Sequence, residues 1–142
     1  MNWTKILLTS AGYIIGTFAL AVLWHVILFK TEYDTFGYFE GEPNFLLGLT
    51  SIAIQGITLS VLYPLCNLSG SAWARAIKFS ALIGCFFWTS HVLAFIAKQT
   101  VVNVLAFITM ESFYLVLQFG VFAVILALVH AVDSPDDQVD GA

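Results

Sequence analysis

The sequence predicts an all-α protein, a four-transmembrane-helix antiparallel bundle, and three observations predict it. Of the 142 residues, 60% are hydrophobic and only 10% charged, far from the roughly half-apolar, quarter-charged mix of globular domains. The apolar residues gather into four stretches, 6–29, 45–65, 76–97 and 101–132, each long enough to cross about 30 Å of hydrocarbon at about 1.5 Å per residue. The connections between them are short, which makes successive helices antiparallel neighbours. A helix satisfies its own backbone hydrogen bonds at membrane depth, where water cannot. One transmembrane domain therefore takes residues 1–132, and a polar, acidic tail follows over 133–142.

The first stretch follows Lys5 and contains Ala19-Leu20-Ala21, a triplet of the kind that precedes signal cleavage. It runs uncharged from Ile6 to Phe29, beyond an h-region of about 7 to 15 residues, so a retained first transmembrane helix is expected. The second stretch follows the loop KTEYDTFGYFEGEPN, which interleaves aromatic and acidic residues. Such a loop is expected to lie on the bilayer surface or to dock against another protein, since aromatics suit wet boundaries. The third begins with Lys78 near its edge, where the stem can snorkel to the interface. The fourth, expected to include an interfacial turn, holds Glu111, the one formal charge well inside any stretch, and has His130 at an interfacial position near its end.

Small residues recur at four-residue spacing, Gly12 and Gly16 in the first helix and Ala76, Ser80 and Gly84 in the third. They allow close helix approach, within the bundle or against another chain. Trp3, Trp73, Tyr33, Tyr38 and Tyr63 fall near helix ends, as an aromatic belt requires. Lys5, Arg75 and Lys78 share a side with both termini, and Lys30 and Lys98 lie opposite; the excess of basic residues favours cytoplasmic termini. The net charge of -4 provides no basic field, which excludes nucleic acid as a partner. Cys66 and Cys85 form no C-x-x-C pair and are expected to be free thiols.

The candidate site consists of the polar groups at membrane depth, His25, Gln55, His91, Glu111 and Gln118. A charge there costs about 2.5 to 3.5 kcal/mol on the insertion scale, so these groups should seek one another. By helical rise His25 and His91 lie roughly 6 to 9 Å from the ends of their helices on one side, and Glu111 enters from that side at roughly 13 to 15 Å. Glu111 and Gln118 are seven residues apart and share a helix face. Imidazoles that merely hydrogen-bond a neighbouring helix account for these residues. So does a proton-linked ligand pocket, or a haem or metal held by His25, His91 and Glu111. Trp24 and Trp88, near the two histidines, could wall such a pocket. No cofactor is expected.

The string Trp24-His25-Val26-Ile27-Leu28-Phe29-Lys30 followed by Tyr33 resembles the HGVLLK-and-Tyr pattern of small bacterial four-helix membrane proteins of unknown function, with Val26 where that pattern has glycine. The helix start from Ala76 to Gly84, and a fourth helix with Glu111 and Gly120, are similar to the same group. The resemblance implies a multi-pass protein of a bacterial inner membrane and no particular activity. With no catalytic motif visible, the sequence leads us to expect a non-enzymatic accessory or stabilising subunit of a larger membrane complex. Its partners would be the lipid bilayer and other subunits or a second copy of itself. The alternatives are a proton-coupled small-molecule carrier or ligand-binding protein built on Glu111 and His91, and an electron-transfer subunit with haem or metal at His25 and His91.

Overall fold

A computed structural model of the chain describes residues 2–38 and 41–131. Phe39 and Glu40 of the first loop, the tail over 133–142, and the expected placement of Met1 and Ala142 on one side lie outside the described residues. Four helices are long and apolar enough to cross a membrane: α1 (Trp3–Leu28), α3 (Phe45–Leu65), α4 (Ala72–Ile96) and α5 (Val104–Val129). The short α2 (Lys30–Phe36) follows α1.

Capping residues set where the long helices start. Asn2, Asn44, Ser71 and Asn103 each accept a hydrogen bond from the backbone N–H three residues on, at 3.2, 2.9, 3.3 and 3.2 Å. These bonds satisfy donors that the helix itself leaves orphaned. The sequence-based starts at 6, 76 and 101 therefore move to Trp3, Ala72 and Val104, because the cap starts the helix and the first unbroken apolar run does not. Lys78 falls inside α4 and turns back to donate to the Ser69 carbonyl at 2.9 Å.

Two helices change their winding near the same end of the molecule. Val22–Leu28 of α1 and Thr89–Leu93 of α4 are π-helical, with N–H groups reaching five residues back from Phe29 to Trp24 and from Ala94 to Thr89. Such turns are rare and recur at functional sites.

α1 packs against both α3 and α5, and α5 against α4, so the lateral order is α3, α1, α5, α4. The Ser10 hydroxyl donates to the Gly56 carbonyl across α1 and α3, and a Cβ on Gly12 would come within 2.9 Å of Ile125 on α5. A Cβ on Gly84 would meet Phe119 at 3.2 Å, and Trp88 Nε1–H donates to Ser112 Oγ at 2.9 Å. Gly12, Gly16 and Gly84 thus serve contacts within the chain. The flanking α3 and α4 meet through the rings of Tyr63 and Phe79, whose centroids are 5.2 Å apart, and His130 stands edge-on to Tyr63 at 4.8 Å. Tyr63 and His130 are buried. They close one end of the bundle, in place of the wet boundary expected for them, because each ring has an aromatic neighbour there. Leu7, Ile15, Leu46, Leu82, Leu105 and Val116 point outward, a surface that suits hydrocarbon and not water.

The first loop departs from expectation. Lys30–Phe36 is helical and buries Tyr33 and Phe36. Gly37 ends it at φ 73°, a left-handed conformation that glycine adopts without strain. Tyr38 then donates its N–H to the Tyr33 carbonyl at 3.1 Å. This aromatic segment folds over the bundle end, since buried rings on each other and on the helices remove more apolar surface from water than a free loop would.

Candidate functional site

Three helices assemble the site. His25 lies in the π-helical end of α1, His91 in the π-helical turn of α4, and Glu111 faces both from α5 between them. Its carboxylate reaches both rings: Oε1 is 3.1 Å from His25 Nε2 and Oε2 is 2.8 Å from His91 Nε2. One ligand atom from each of the three lies within 4.8 Å of the others. Glu111 is 0% exposed and His25 8%, while His91 is half-buried.

This meeting does not need the inward rotation of two diagonal helices. α5 stands between α1 and α4, and its carboxylate spans the gap. Depth agrees better than the sequence suggests, because α5 starts at Val104 and Glu111 lies about 10 Å along it. His25 and His91 lie about 5 to 8 Å from the ends of α1 and α4. Each π turn holds an extra residue, which swings later side chains by about 100° around the axis relative to a continuous α-helix.

Hydrogen bonding settles one proton. His25 Nδ1 is 3.1 Å from the Ala21 carbonyl, which can only accept, so Nδ1 carries a proton. The Nε2···Oε1 hydrogen bond between His25 and Glu111 at 3.1 Å then needs a further proton, on Nε2 or on the carboxyl, because two lone pairs cannot bond each other. The second contact differs in kind. His91 Nε2 and Glu111 Oε2 are close but too bent for a hydrogen bond, and both atoms are buried without any other hydrogen-bond partner.

Aromatic rings enclose the pair of residues from α1 and α5. Tyr33 and Tyr114 pack on His25 with centroids at 4.6 and 4.5 Å, and Tyr38 stacks at 5.6 Å. Trp24 Nε1–H donates to the Tyr33 hydroxyl at 2.9 Å. Burial pushes the Tyr33 and Tyr38 phenols well above their usual range, and the Glu111 charge adds to this. Both remain O–H donors at neutral pH. Their assignment to an aromatic belt is thereby corrected, whereas Trp3 and Trp73 are exposed as a belt requires.

A cavity of about 330 Å³ adjoins the cluster, between α1, α3, α4 and α5. His25, His91, Tyr38 and Tyr114 line one end, Gln55 and Gln118 the other, and Glu111 stands behind the imidazoles. At the second end Gln118 Nε2 donates to the Tyr13 hydroxyl at 2.9 Å, Tyr13 donates to Gln55 Oε1 at 3.2 Å, and Gln55 Nε2 donates to Ser51 Oγ at 3.2 Å. Four of the five candidate residues thus line one cavity, and Glu111 joins them through its contacts to the two imidazoles. Glu111 and Gln118 are buried and Gln55 is half-buried, as expected where lipid offers no partner.

Tyr13, Tyr33, Tyr38 and Tyr114 are the residues that sequence reasoning missed as site members. Tyr13 and Tyr114 carried a usable signal, being polar-tipped rings mid-stretch, where an interfacial belt cannot explain them. Trp24 and Trp88 do not line the cavity. Trp24 braces Tyr33, and Trp88 ties α4 to α5. Cys66 and Cys85 are free thiols. No family model, curated protein or solved structure matches the chain, and the chemistry of the site is read from its own geometry.

Proposed function

We propose that this chain is a non-enzymatic, antiparallel four-span protein of a bacterial cytoplasmic membrane that binds a small polar or cationic ligand at the His25, His91 and Glu111 cluster. One observation carries the reading: a carboxylate with no solvent exposure held between two imidazoles that line a cavity of about 330 Å³. Packing alone would be served as well by apolar side chains of similar volume, which are often neutral or stabilising in place of buried ionic groups. The alternation of the spans is supported by contacts whose numbering runs in opposite directions, Ser10 with Gly56 and Tyr13 with Gln55 across α1 and α3, and Tyr13 with Gln118 and His25 with Glu111 across α1 and α5. Cytoplasmic termini rest on the basic-residue excess near them. A carrier is one use of such a site.

The test is native mass spectrometry of the full chain extracted from its own membranes, beside a Glu111→Leu variant. A bound ion or small molecule is expected on the wild type and is lost from the folded variant. Adduct-free spectra for both would refute the reading.

The accessory-subunit reading keeps one observation in its favour. A groove of about 640 Å³ between α4 and α5 has Ser80, Ala81, Gly84, Gly120 and Ala123 among larger lining residues such as Trp73, Trp88 and Phe119, and nothing approaches a Cβ on Gly120 within 4 Å. A helix of another subunit fits such small residues closely. A protein chain retained in the same spectra and released by Gly120→Leu would support it, and extraction without one would refute it.

A further inference from the structure

We infer that the ligand of this site is a divalent transition-metal ion, bound by Nε2 of His25, Nε2 of His91 and the Glu111 carboxylate; the inference rests on the ligand-binding reading of the same cluster. Donor chemistry comes first. Two imidazoles and one carboxylate form a set that holds zinc or iron(II) with a position left open, whereas magnesium and calcium prefer oxygen alone.

The spacing fits an ion of this kind. Ligands about 2.0 to 2.1 Å from a tetrahedral centre stand about 3.3 Å apart. Here the two Nε2 atoms lie 3.1 and 2.8 Å from different oxygens of the carboxylate, and a set with one donor from each residue lies within 4.8 Å, so the widest pair would have to close by up to about 1.5 Å. Small side-chain rotations bring the three to one centre.

The protons point the same way. With its Nδ1–H engaged by the Ala21 carbonyl, His25 offers Nε2 as the ring's one ligating atom, the outer-layer arrangement that fixes metal-ligating histidines, and an ion there would take the place of the proton shared by Nε2 and Glu111. His91 Nε2 and Glu111 Oε2, both buried, are 2.8 Å apart without forming a hydrogen bond. A cation between the three groups would satisfy both orphaned atoms and offset the burial of the carboxylate. The Tyr33 ring packs on His25 with centroids at 4.6 Å, and its hydroxyl is held by Trp24 Nε1–H at 2.9 Å, which fixes the imidazole's orientation. Haem does not fit, since a porphyrin ligated by both histidines would pass between their Nε2 atoms, where the Glu111 carboxylate stands. The fourth position is left to a water or solute from the cavity that His25 and His91 line.

The experiment is titration of the metal-stripped, full-length protein in detergent with Co²⁺ and then Zn²⁺. We expect one ion per chain, a visible d–d spectrum of a low-coordinate nitrogen and oxygen site, and displacement of Co²⁺ by Zn²⁺. Glu111→Gln and His91→Ala should each weaken binding by about 100-fold or more. Cys85→Ser, which changes an exposed thiol, should leave affinity and spectrum as they are. Wild-type protein that takes up no stoichiometric ion, or binding that survives both ligand substitutions, would overturn the inference without depending on how any variant folds. A silent titration beside an organic adduct that requires Glu111 in native extracts removes the metal alone. A silent titration with adduct-free extracts removes the ligand-binding reading too.

Discussion

Tyr13→Phe isolates what the polar network at the second end of the cavity contributes. Tyr13 is 1% exposed and sits where α1 meets α3 and α5. Its hydroxyl receives a hydrogen bond from Gln118 at 2.9 Å and donates one to Gln55 at 3.2 Å. In bilayers such side-chain bonds average about 0.6 kcal/mol, so losing two costs about 1.2 kcal/mol. The substitution also strands the buried Gln118 amide, and an unmet buried donor costs about 1 to 3 kcal/mol. No cavity term arises, because the ring stays and keeps its edge contact with Phe122 at 4.8 Å. The expected loss is therefore about 2 to 4 kcal/mol, in which the stranded donor can be the larger part. Reversible unfolding in mixed micelles measures it. Gln118→Leu removes the donor, so the double variant should cost less than the sum of the two single changes, with a coupling of about 1 kcal/mol. Additive losses, or a Tyr13→Phe protein as stable as wild type, would refute this account of the network.

Other substitutions test the packing that holds the site. Gly56→Ala places a Cβ 3.0 Å from the Tyr13 ring, 3.1 Å from Ile14 and 3.3 Å from the Ser10 carbonyl oxygen; overpacking of this kind should cost about 1 to 3 kcal/mol, read as a lowered thermal midpoint. Gly120→Ala meets nothing within 4 Å and should instead raise stability by about 0.5 to 1 kcal/mol through helix propensity. Tyr38→Ala removes the ring that stacks on His25. It should speed modification of His25 by diethyl pyrocarbonate, followed by peptide mass spectrometry, and an unchanged rate would contradict its role as a cover.

The number of long helices and the middle of each were legible because hydropathy is a property of the chain taken in order. Their starts were not, since Asn2, Ser71 and Asn103 act through single side-chain hydrogen bonds that apolar runs do not record. The first loop misled for a related reason. Its tyrosines and phenylalanines suit a bilayer surface and a buried cover equally well, and the left-handed turn at Gly37 decides between them by returning Tyr38 to the bundle.

Helix rotation was the harder quantity, and the candidate site depends on it. In α5 nearly every side chain is apolar, so lipid and core faces look alike in sequence; what distinguishes them is the few groups that lipid cannot satisfy. Glu111 and Gln118 each mark the inward face of α5, as His25 does for α1 and His91 for α4. Those marks were visible as residue types. Their convergence was not, because it needs two things that composition does not carry: α5 lying between α1 and α4, and the π turns that re-aim both histidines. A π turn replaces i to i−4 backbone bonds by poorer i to i−5 ones, so the helix gains nothing locally from it. That both occur at the histidines, on different helices, ties the departure from ideal winding to the cluster they form with Glu111.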